Sequence, residues 1–314
     1  MDTDIAHVLL VGGTGRFGGK LASALLSRPG IHLHVLVRPG TRGEALRRLE
    51  AHGVTLVSGA LDDMRSLDSA LEGVDAVVSA VRGPPDVFVE GQLRLLDSAR
   101  RHGVLRFIPS DYALDSADPE AGRSFMAAQR HVADAVVRSG VPYTFVLCGA
   151  FMETALSSQS QVFDFERGRV SYWGTGDEPF DVTAMRDAAR WVAEVVVDPR
   201  AVGRRLEFVG DVVTVNEVAA LYEELTGQPL QRVRRGSVEV LRGQLARPRP
   251  AGTPVDTSSA ALSLLSQLAG KGRLHEPSNA DYPRHQPMSV RAFLQARLIP
   301  HAPSWGAPSV ESLS

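Results

Sequence analysis

Five glycines lie within eight positions in the segment LLVGGTGRFGG (residues 9–19), directly after an apolar run. They fit the pattern G-x-G-x-x-G as Gly13, Gly15 and Gly18, and they fit equally a pattern that begins at Gly12. In a dinucleotide site the first glycine makes a tight turn, the second lets a pyrophosphate approach the backbone, and the third lets a helix pack on a strand. The free N–H groups at the positive end of that helix bind phosphate; the alternative is a glycine-rich turn without a ligand. The residues predicted to bind the cofactor here are Gly12, Thr14, Gly15, Arg16, Phe17 and Gly18.

The residue after the second apolar run, HLHVLV (32–37), indicates which dinucleotide the site prefers. An NAD site usually carries Asp or Glu about 20 residues after the glycines, where it binds the ribose 2′-hydroxyl, whereas this chain has Arg38. A guanidinium suits a 2′-phosphate, and Arg42 is placed to assist; the alternative is that Arg38 is only a solvated loop charge. We therefore predict NADPH as the cofactor. Further contacts are predicted from Asp62, near the adenine, and from Ser79, Ala80 and Val81, beside the ribose and nicotinamide.

Short apolar runs that alternate with helical patterns must position these residues. Residues 88–103 have apolar residues near helical spacing and end at Gly103, where a helix would stop. This alternation predicts an α/β protein with a Rossmann-type doubly wound parallel sheet that is covered on both faces. The candidate strands cover residues 7–12, 32–37, 54–59, 75–81, 106–110 and 143–148.

From about residue 150 the pattern loosens. The segment VNEVAALYEELTG (215–227) is still a clear amphipathic helix that closes at Gly227, but nine of the nineteen prolines lie at or after Pro248. We predict an NADP-binding domain over residues 1–152 and a smaller, mixed α/β, loop-rich substrate-binding region over residues 153–314, partly integrated with the first. The segment from about Pro248 is expected to close over the substrate.

Composition limits the classes of function. Of the 314 residues 44% are hydrophobic and 22% are charged, and a net charge of −2 gives no broad positive field for nucleic acid or an anionic membrane. Cys148 is the only cysteine, which excludes an internal disulfide and Cys-based metal clusters, and no metal is predicted. The N-terminus has no basic leader and no apolar stretch is long enough to span a bilayer. We expect a cytoplasmic monomer or homodimer whose partner is a small molecule.

Several stretches of the chain together resemble one protein family. They are GGTGRFGGK, HVLVRPGT, GVTLVSGALDDMRSLDSALEGVDAVVSAV, LRFIPSDYA and GVPYTFVLCGAF, followed more weakly by FDVTAMRDAARWVAEVV and TVNEVAALYEELTG. The sequence resembles the NmrA-like atypical short-chain dehydrogenases, in the branch that contains isoflavone reductase and phenylcoumaran benzylic ether reductase. The resemblance implies a Rossmann fold and NADP(H) binding. It leaves two activities open, because the family contains both reductases and redox-sensing regulators that bind NADP(H) without turnover.

The catalytic position of the family is where this chain departs from the pattern. The resemblance places a catalytic lysine eleven residues before the glycine of GVPYTF, and Gln129 stands there. The Tyr-x-x-x-Lys of conventional members reads Phe125-x-x-x-Gln129 in the same register, and neither side chain can donate a proton as an acid would. The only lysines are Lys20, in the cofactor helix, and Lys271, in the tail. A lysine-assisted mechanism is therefore not expected. His131 lies on a different helix face from Gln129, and we expect it at the surface.

Other side chains can donate a proton to an oxygen that gains negative charge, or hold that oxygen by hydrogen bonding. Ser110 and Tyr112 follow the fifth strand, at the carboxyl edge where ligands of open α/β sheets bind. A spacing of two points both side chains the same way in an extended segment, whereas Asp111 would face elsewhere. We predict Tyr112 as the main contact, Ser110 as a second donor and Gln129 as a weaker one; a packing tyrosine is the alternative for Tyr112. Phe151 and Met152 are predicted to form an apolar wall against the nicotinamide or the substrate, so that Phe151 binds the cofactor. Tyr172 and Trp173 are further candidates for the same cleft.

These expectations together predict an NADPH-dependent reductase that acts on a carbonyl or quinone-like group of an aromatic or polycyclic small molecule, in secondary metabolism. The substrate class follows from the resemblance and from the loop-rich C-terminal part, and no motif specifies it. The alternative is a non-enzymatic NADP(H) sensor that signals through a partner protein. An epimerase or dehydratase that uses a tightly held cofactor also stays open.

Overall fold

A parallel sheet forms the centre of the computed structural model, which describes residues 5–112, 114, 125–246, 264–270 and 273–298. Its strand order is β3-β2-β1-β4-β5, so the order reverses between β1 and β4, at the topological switch point of a Rossmann fold. The five strands are β1 (His7–Val11), β2 (His32–Val37), β3 (Thr55–Ser58), β4 (Ala76–Ser79) and β5 (Arg106–Ile108). A bridge between Phe107 and Tyr143 continues the sheet to β6 (Thr144–Leu147), which pairs in parallel with β11 (Arg204–Glu207).

Helices cover both faces of this sheet, because successive strand residues point to opposite sides. Val8 and Leu10 of β1 are buried on one face, and Leu9 and Val11 are buried on the other. The helices on the first face are α1 (Arg16–Leu26), α2 (Glu44–Ala51) and α7 (Met185–Val195). The helices on the second face are α3 (Met64–Leu71), α4 (Pro85–Arg101) and α5 (Phe125–Ser139). The doubly wound α/β fold predicted from the strand pattern is confirmed.

The region after β6 adds two small sheets and a second core. One sheet has the order β12-β10-β7 and the other the order β13-β9-β8. Their strands are β7 (Ala150–Phe151), β8 (Phe163–Asp164), β9 (Arg169–Trp173), β10 (Phe180–Thr183), β12 (Asp211–Val213) and β13 (Gln231–Gly236). Helices of this region besides α7 include α6 (Met152–Ala155), α8 (Val215–Thr226), α9 (Val238–Ala246) and α10 (Val290–Leu298). Several of these strands are very short, which explains the loosened sequence pattern.

Acidic side chains tie the described part of the C-terminal tail, residues 264–270 and 273–298, to this second core. The buried carboxylate of Asp181 on β10 accepts hydrogen bonds from the Arg273 guanidinium at 2.9 and 3.1 Å and from the Leu274 N–H at 2.8 Å. Three further carboxylates accept N–H groups of the tail: Asp187 from Met288, Glu207 from His275 and Glu276, and Asp211 from Val290. Each of the bonds from a backbone N–H satisfies a donor that has no strand or helix partner.

The described parts of the tail belong to the second core, and closure of the segment from about Pro248 over the substrate stays a prediction. Leu264, Leu268 and Leu294 are buried there against residues of β9, β10 and α8. Pro248, where the cover was expected to begin, lies outside the described residues, and so does Lys271. Of the described helices, none is long and apolar enough to cross a membrane.

Candidate functional site

The loop between β1 and α1 is shaped by close contacts that only glycine allows. Gly12 has φ +87°, and a Cβ there would lie 2.7 Å from the carbonyl oxygen of Ala80, just after β4. A Cβ on Gly18 would overlap the carbonyl group of Gly12. The turn glycine is therefore Gly12, and Gly18 lets α1 pack directly on the loop. At both positions a side chain would clash with protein backbone, whether or not a ligand is bound.

Gly15 differs from these two glycines, because the described part of the protein crowds it less. A Cβ at this exposed residue would meet only the Gly12 carbonyl oxygen, at 3.3 Å, and its φ of −77° is open to any residue. Gly15 is the N-cap of α1, and no side chain of the described residues caps the helix there. Thr14 and Arg16 beside it are also exposed. The first N–H groups of this helix have no side-chain acceptor within the described ranges, and the glycine at the N-cap leaves the backbone accessible. Such a helix terminus fits a phosphate group.

Arg38 and Arg42 lie together in the loop that follows β2. Both are exposed, and within the described ranges neither guanidinium forms an ion pair with a carboxylate. The N–H of Thr41 donates to the Arg38 carbonyl at 3.0 Å, which closes a turn between the two arginines. Two such guanidinium groups at the carboxyl end of β2 supply the charge that a phosphate monoester requires. Asp62 is exposed after β3, beside the residue that caps α3.

The three residues at the end of β4 that were predicted to contact the cofactor make different contacts within the protein. Gln92 Nε2 donates to Ser79 Oγ at 2.6 Å, and both residues are fully buried. The Ser79 side chain is therefore directed to α4, and its place beside the ribose and nicotinamide stays a prediction. The Ala80 carbonyl packs over the turn glycine. The Val81 carbonyl accepts a hydrogen bond from Ser110 Oγ at 2.8 Å, so the Ser110 hydrogen is already used within the protein.

Three aromatic rings lie at the first turn of α1. Phe17 contacts Tyr112 edge-on and Phe151 in a tilted arrangement, each with ring centroids 4.8 Å apart. Tyr112 is buried, and its hydroxyl has no hydrogen-bond partner among the described residues. Burial, with smaller contributions from Cys148 and Asp111, raises the pKa of Tyr112 well above its ordinary value. Such a phenol stays protonated near neutral pH, so it can donate a hydrogen bond or its proton to an oxygen that gains negative charge.

A buried polar pair beside Tyr112 was not anticipated from the sequence. Gln129 Nε2 donates to Asp111 Oδ1 at 2.9 Å, and both residues are buried. Gln129 lies on the same face of α5 as the buried Val132 and Val136, and a polar side chain on such a face requires a partner. The need for a partner was the sequence signal for this pair, but it could not identify Asp111 as the partner. The pair fixes the Gln129 amide through one of its two hydrogens.

The remaining candidates separate into surface and core positions. His131 is exposed on α5, where a surface histidine was expected. Trp173 and Met152 are buried in the second core, and Tyr172 packs against it, so these side chains contribute to packing around β9 and β10. The side chain of Phe125 lies outside the described residues.

A cleft of about 520 Å³ adjoins α1 on the side of α7 and α10. Both carboxylate oxygens of Glu153 accept the Met185 N–H at 3.0 Å, so this side chain caps α7. Burial raises the pKa of Glu153, whereas the Met185 hydrogen bond and the charges of Lys20 and Arg16 oppose that shift. The charged residues that line the cleft are Arg16, Lys20, Glu153, Glu166, Arg186 and Arg297.

Comparison with known proteins identifies the family of this chain. The model of the NmrA-like family matches residues 5–263. The chain belongs to the NmrA-like family. Within it, the predicted branch is confirmed by curated relatives from Arabidopsis thaliana. Isoflavone reductase homolog P3 is 26% identical over 265 aligned positions, and the match covers 80% of this chain and 84% of the relative. Pinoresinol reductase 1 is 29% identical over 271 residues, with the same 80% and 84% coverage.

Solved structures share the fold of this NmrA-like chain. Structures of pinoresinol-lariciresinol and phenylcoumaran benzylic ether reductases match with a TM-score of 0.80 at 23% identity, over 93% of this chain and 99% of theirs. AtPrR2 with NADP⁺ and (+)-pinoresinol matches with a TM-score of 0.77 at 22% identity, over 93% and 98%. The complex of leucoanthocyanidin reductase with NADPH from Vitis vinifera gives 0.74 at 19%, over 93% and 99%. The last two structures hold NADP⁺ or NADPH.

Proposed function

We propose that the protein is an NADPH-dependent reductase that acts on a carbonyl or quinone-like group of an aromatic or polycyclic small molecule, in secondary metabolism. The observation that carries the proposal is the open glycine loop. Gly15 leaves the backbone exposed at the start of α1, at the switch point between β1 and β4. The reductase names of the relatives support the reaction class. A cytoplasmic location and a monomeric or homodimeric state remain predictions.

The residues at this loop fit NADPH. The first N–H groups of α1, with Gly15 beneath them, would hold the pyrophosphate. Arg38 and Arg42 would hold the 2′-phosphate through charge-assisted hydrogen bonds, and Asp62 would border the adenosine. When bound, the nicotinamide supplies a hydride. The task of the chain is to orient both reactants and to stabilise the oxygen that gains negative charge.

Three side chains are available for that oxygen, and they differ in what they can donate. Tyr112 carries a hydroxyl hydrogen with no partner among the described residues, and Gln129 has a second amide hydrogen beside the one bonded to Asp111. Ser110 uses its hydrogen on Val81, so it becomes the third choice. We assign Tyr112 and Gln129 as hydrogen-bond donors to the oxygen, without any lysine. The proton itself can then come from Tyr112, from water or from a hydroxyl of the substrate.

This role requires the buried Tyr112 ring to be uncovered in the complex. Phe17 contacts both Tyr112 and Phe151, so the Phe17 ring is the side chain that would move. The same three rings would then form an apolar wall for a flat aromatic substrate.

The proposal is tested by following NADPH oxidation with a panel of quinones and polycyclic aromatic ketones. Turnover of a panel member by the complete protein, absent in a folded Gly15→Val variant, supports it. Tight NADPH binding without turnover of any member contradicts it and favours the NADP(H)-sensing regulator. That alternative is favoured by one observation: none of Ser110, Tyr112 and Gln129 is a proton donor with a pKa near neutrality.

The NADPH preference provides an independent test. Replacing Arg38 by Ala removes one charge-assisted contact to the 2′-phosphate, so NADPH affinity should fall about tenfold, or about 1.4 kcal/mol. NADH affinity should stay unchanged, because NADH has no 2′-phosphate. Calorimetric titration of both cofactors measures this, and an unchanged ratio of the two affinities would remove Arg38 from the site.

A further inference from the structure

Three of the nine histidines of the chain lie together at the amino edge of the central sheet, opposite the glycine loop. His7 begins β1, His32 begins β2, and His34 follows two residues further along β2. His7 and His32 are direct partners in the parallel register. Because strand side chains alternate between faces, these three imidazoles project from the same face of the sheet.

The His7 ring contacts the rings of both His32 and His34. His7 Nδ1 and His34 Nε2 lie 3.2 Å apart, so one of these nitrogens carries a hydrogen and the other accepts it. The His32 ring stacks on His7 with centroids 4.9 Å apart and an interplanar angle of 22°. Asp75 anchors the start of β1, because its carboxylate accepts the N–H of His7 at 2.7 Å and that of Ala6 at 2.9 Å. The backbone beneath the histidines is therefore fixed by sheet pairing, and the side chains of His7 and His32 are exposed at the surface.

The distance between the two nitrogens is the one that a shared metal ion requires. Two imidazole ligands at about 2.0–2.1 Å from a tetrahedral ion lie about 3.3 Å from each other. Imidazole binds such an ion through a ring nitrogen that carries no hydrogen.

We propose that His7 and His34 chelate a divalent transition-metal ion of the Cu²⁺, Ni²⁺ and Zn²⁺ class, and that rotation of the exposed His32 ring supplies a third imidazole. Within the described ranges, no group of three or more His, Cys, Asp or Glu side chains is already arranged around a metal position. The site is accordingly a pair of chelating imidazoles on a rigid sheet, and the third imidazole joins when the metal binds. Nitrogen ligands disfavour Mg²⁺ and Ca²⁺, which take oxygen ligands.

Calorimetric titration of the complete protein, purified without a histidine tag, tests the proposal. We expect binding of Cu²⁺, Ni²⁺ and Zn²⁺, with Cu²⁺ the tightest, and no binding of Mg²⁺. His7→Gln and His34→Gln should each weaken Ni²⁺ binding by about tenfold or more, and His32→Gln should weaken it less. Absence of any transition-metal binding, or binding of Mg²⁺ as tight as that of Ni²⁺, overturns the proposal.

His131→Gln is the matched control, because His131 is an exposed imidazole on α5, outside this cluster. It should leave the Ni²⁺ affinity within about twofold of the wild type. Saturating Ni²⁺ should raise the melting temperature of the wild type, because the two ligands come from different strands. The His7→Gln/His34→Gln variant should lose that rise. Equal losses of affinity in His131→Gln and His34→Gln would show nonspecific binding and refute the assignment.

Discussion

The glycine loop and the C-terminal tail are held in place by opposite means. The loop is held by close backbone contacts among β1, α1 and the end of β4, where Gly12 and Gly18 lack the side chains that would clash. The tail is held by charged side chains whose partners lie far away in sequence: Asp181 bonds Leu274 across 93 positions, and Asp187 bonds Met288 across 101. A substitution at the open part of the loop should therefore change ligand binding, whereas one in the tail contacts should change stability.

The largest effect is expected from Asp181→Ala. The substitution leaves the Arg273 guanidinium and the Leu274 N–H without their buried acceptor, and removal of one partner of a buried ion pair costs about 3–5 kcal/mol. We expect the lower end of that range, because Arg273 keeps some contact with solvent. Urea unfolding measures the change in the free energy of unfolding.

Asp211→Ala is the matched control for the tail. Asp211 also accepts a tail N–H, from Val290 at 2.8 Å, but it is only half-buried. Its loss should cost about 1 kcal/mol, as for an ordinary hydrogen bond. If Asp181→Ala destabilises the protein no more than Asp211→Ala does, the buried carboxylate is not what fixes the tail.

Gly15→Val should produce the next largest effect. It should change NADPH binding and not stability. A side chain at Gly15 would occupy the space above the start of α1, so NADPH affinity should fall by about 100-fold or more. The free energy of unfolding should change by less than about 1 kcal/mol, since φ is −77° and only the Gly12 oxygen is near. Calorimetry and urea unfolding measure the two quantities.

Gly19→Ala is the control within the same helix. A Cβ there would lie 3.9 Å from the Gly13 oxygen, an ordinary contact, so NADPH affinity should be kept. Stability should rise by about 0.5–1 kcal/mol, because Ala favours the helix more than Gly does. Retention of NADPH affinity in folded Gly15→Val would mean that the loop is only a turn.

Tyr112→Phe separates packing from a role in the reaction. The hydroxyl has no partner among the described residues, so its removal should leave the stability unchanged or raise it. If the hydroxyl binds the substrate oxygen, kcat should fall about 100-fold with NADPH affinity unchanged. Tyr222→Phe, in the second core, is the control and should keep kcat. Normal turnover in Tyr112→Phe would identify Tyr112 as a packing residue.

The smallest effect is expected from Thr214→Ala, which tests a locally encoded element in the C-terminal region. Thr214 accepts the Glu217 N–H at 3.1 Å, and Glu217 accepts the Thr214 N–H at 2.8 Å, which forms a capping box at the start of α8. Loss of such a cap costs about 1 kcal/mol. Thermal melting measures it, and a loss as large as that of Asp181→Ala would break the distinction between local and distant contacts.

The sequence by itself determined the elements whose signals are local. The strand over residues 32–37 was predicted with its observed ends, and the helix that closes at Gly227 ends there in the structure, where φ is +68°. Periodicity and turn residues suffice for these elements because their stabilising contacts lie within a few positions. The glycine spacing likewise predicted a sharp turn between β1 and α1, because few other residues allow that backbone path.

Only the tertiary structure decided which side chains meet. It selected Gly12 as the turn glycine, because the Ala80 carbonyl comes from another strand. It buried Tyr112 against Phe17, directed Ser79 to Gln92, and joined Asp111 to Gln129. A residue pattern gives the face on which a side chain lies, but a hydrogen-bond partner depends on how distant elements pack. For the same reason the strands of residues 150–236 and the carboxylates that bind the tail became visible only in the folded chain.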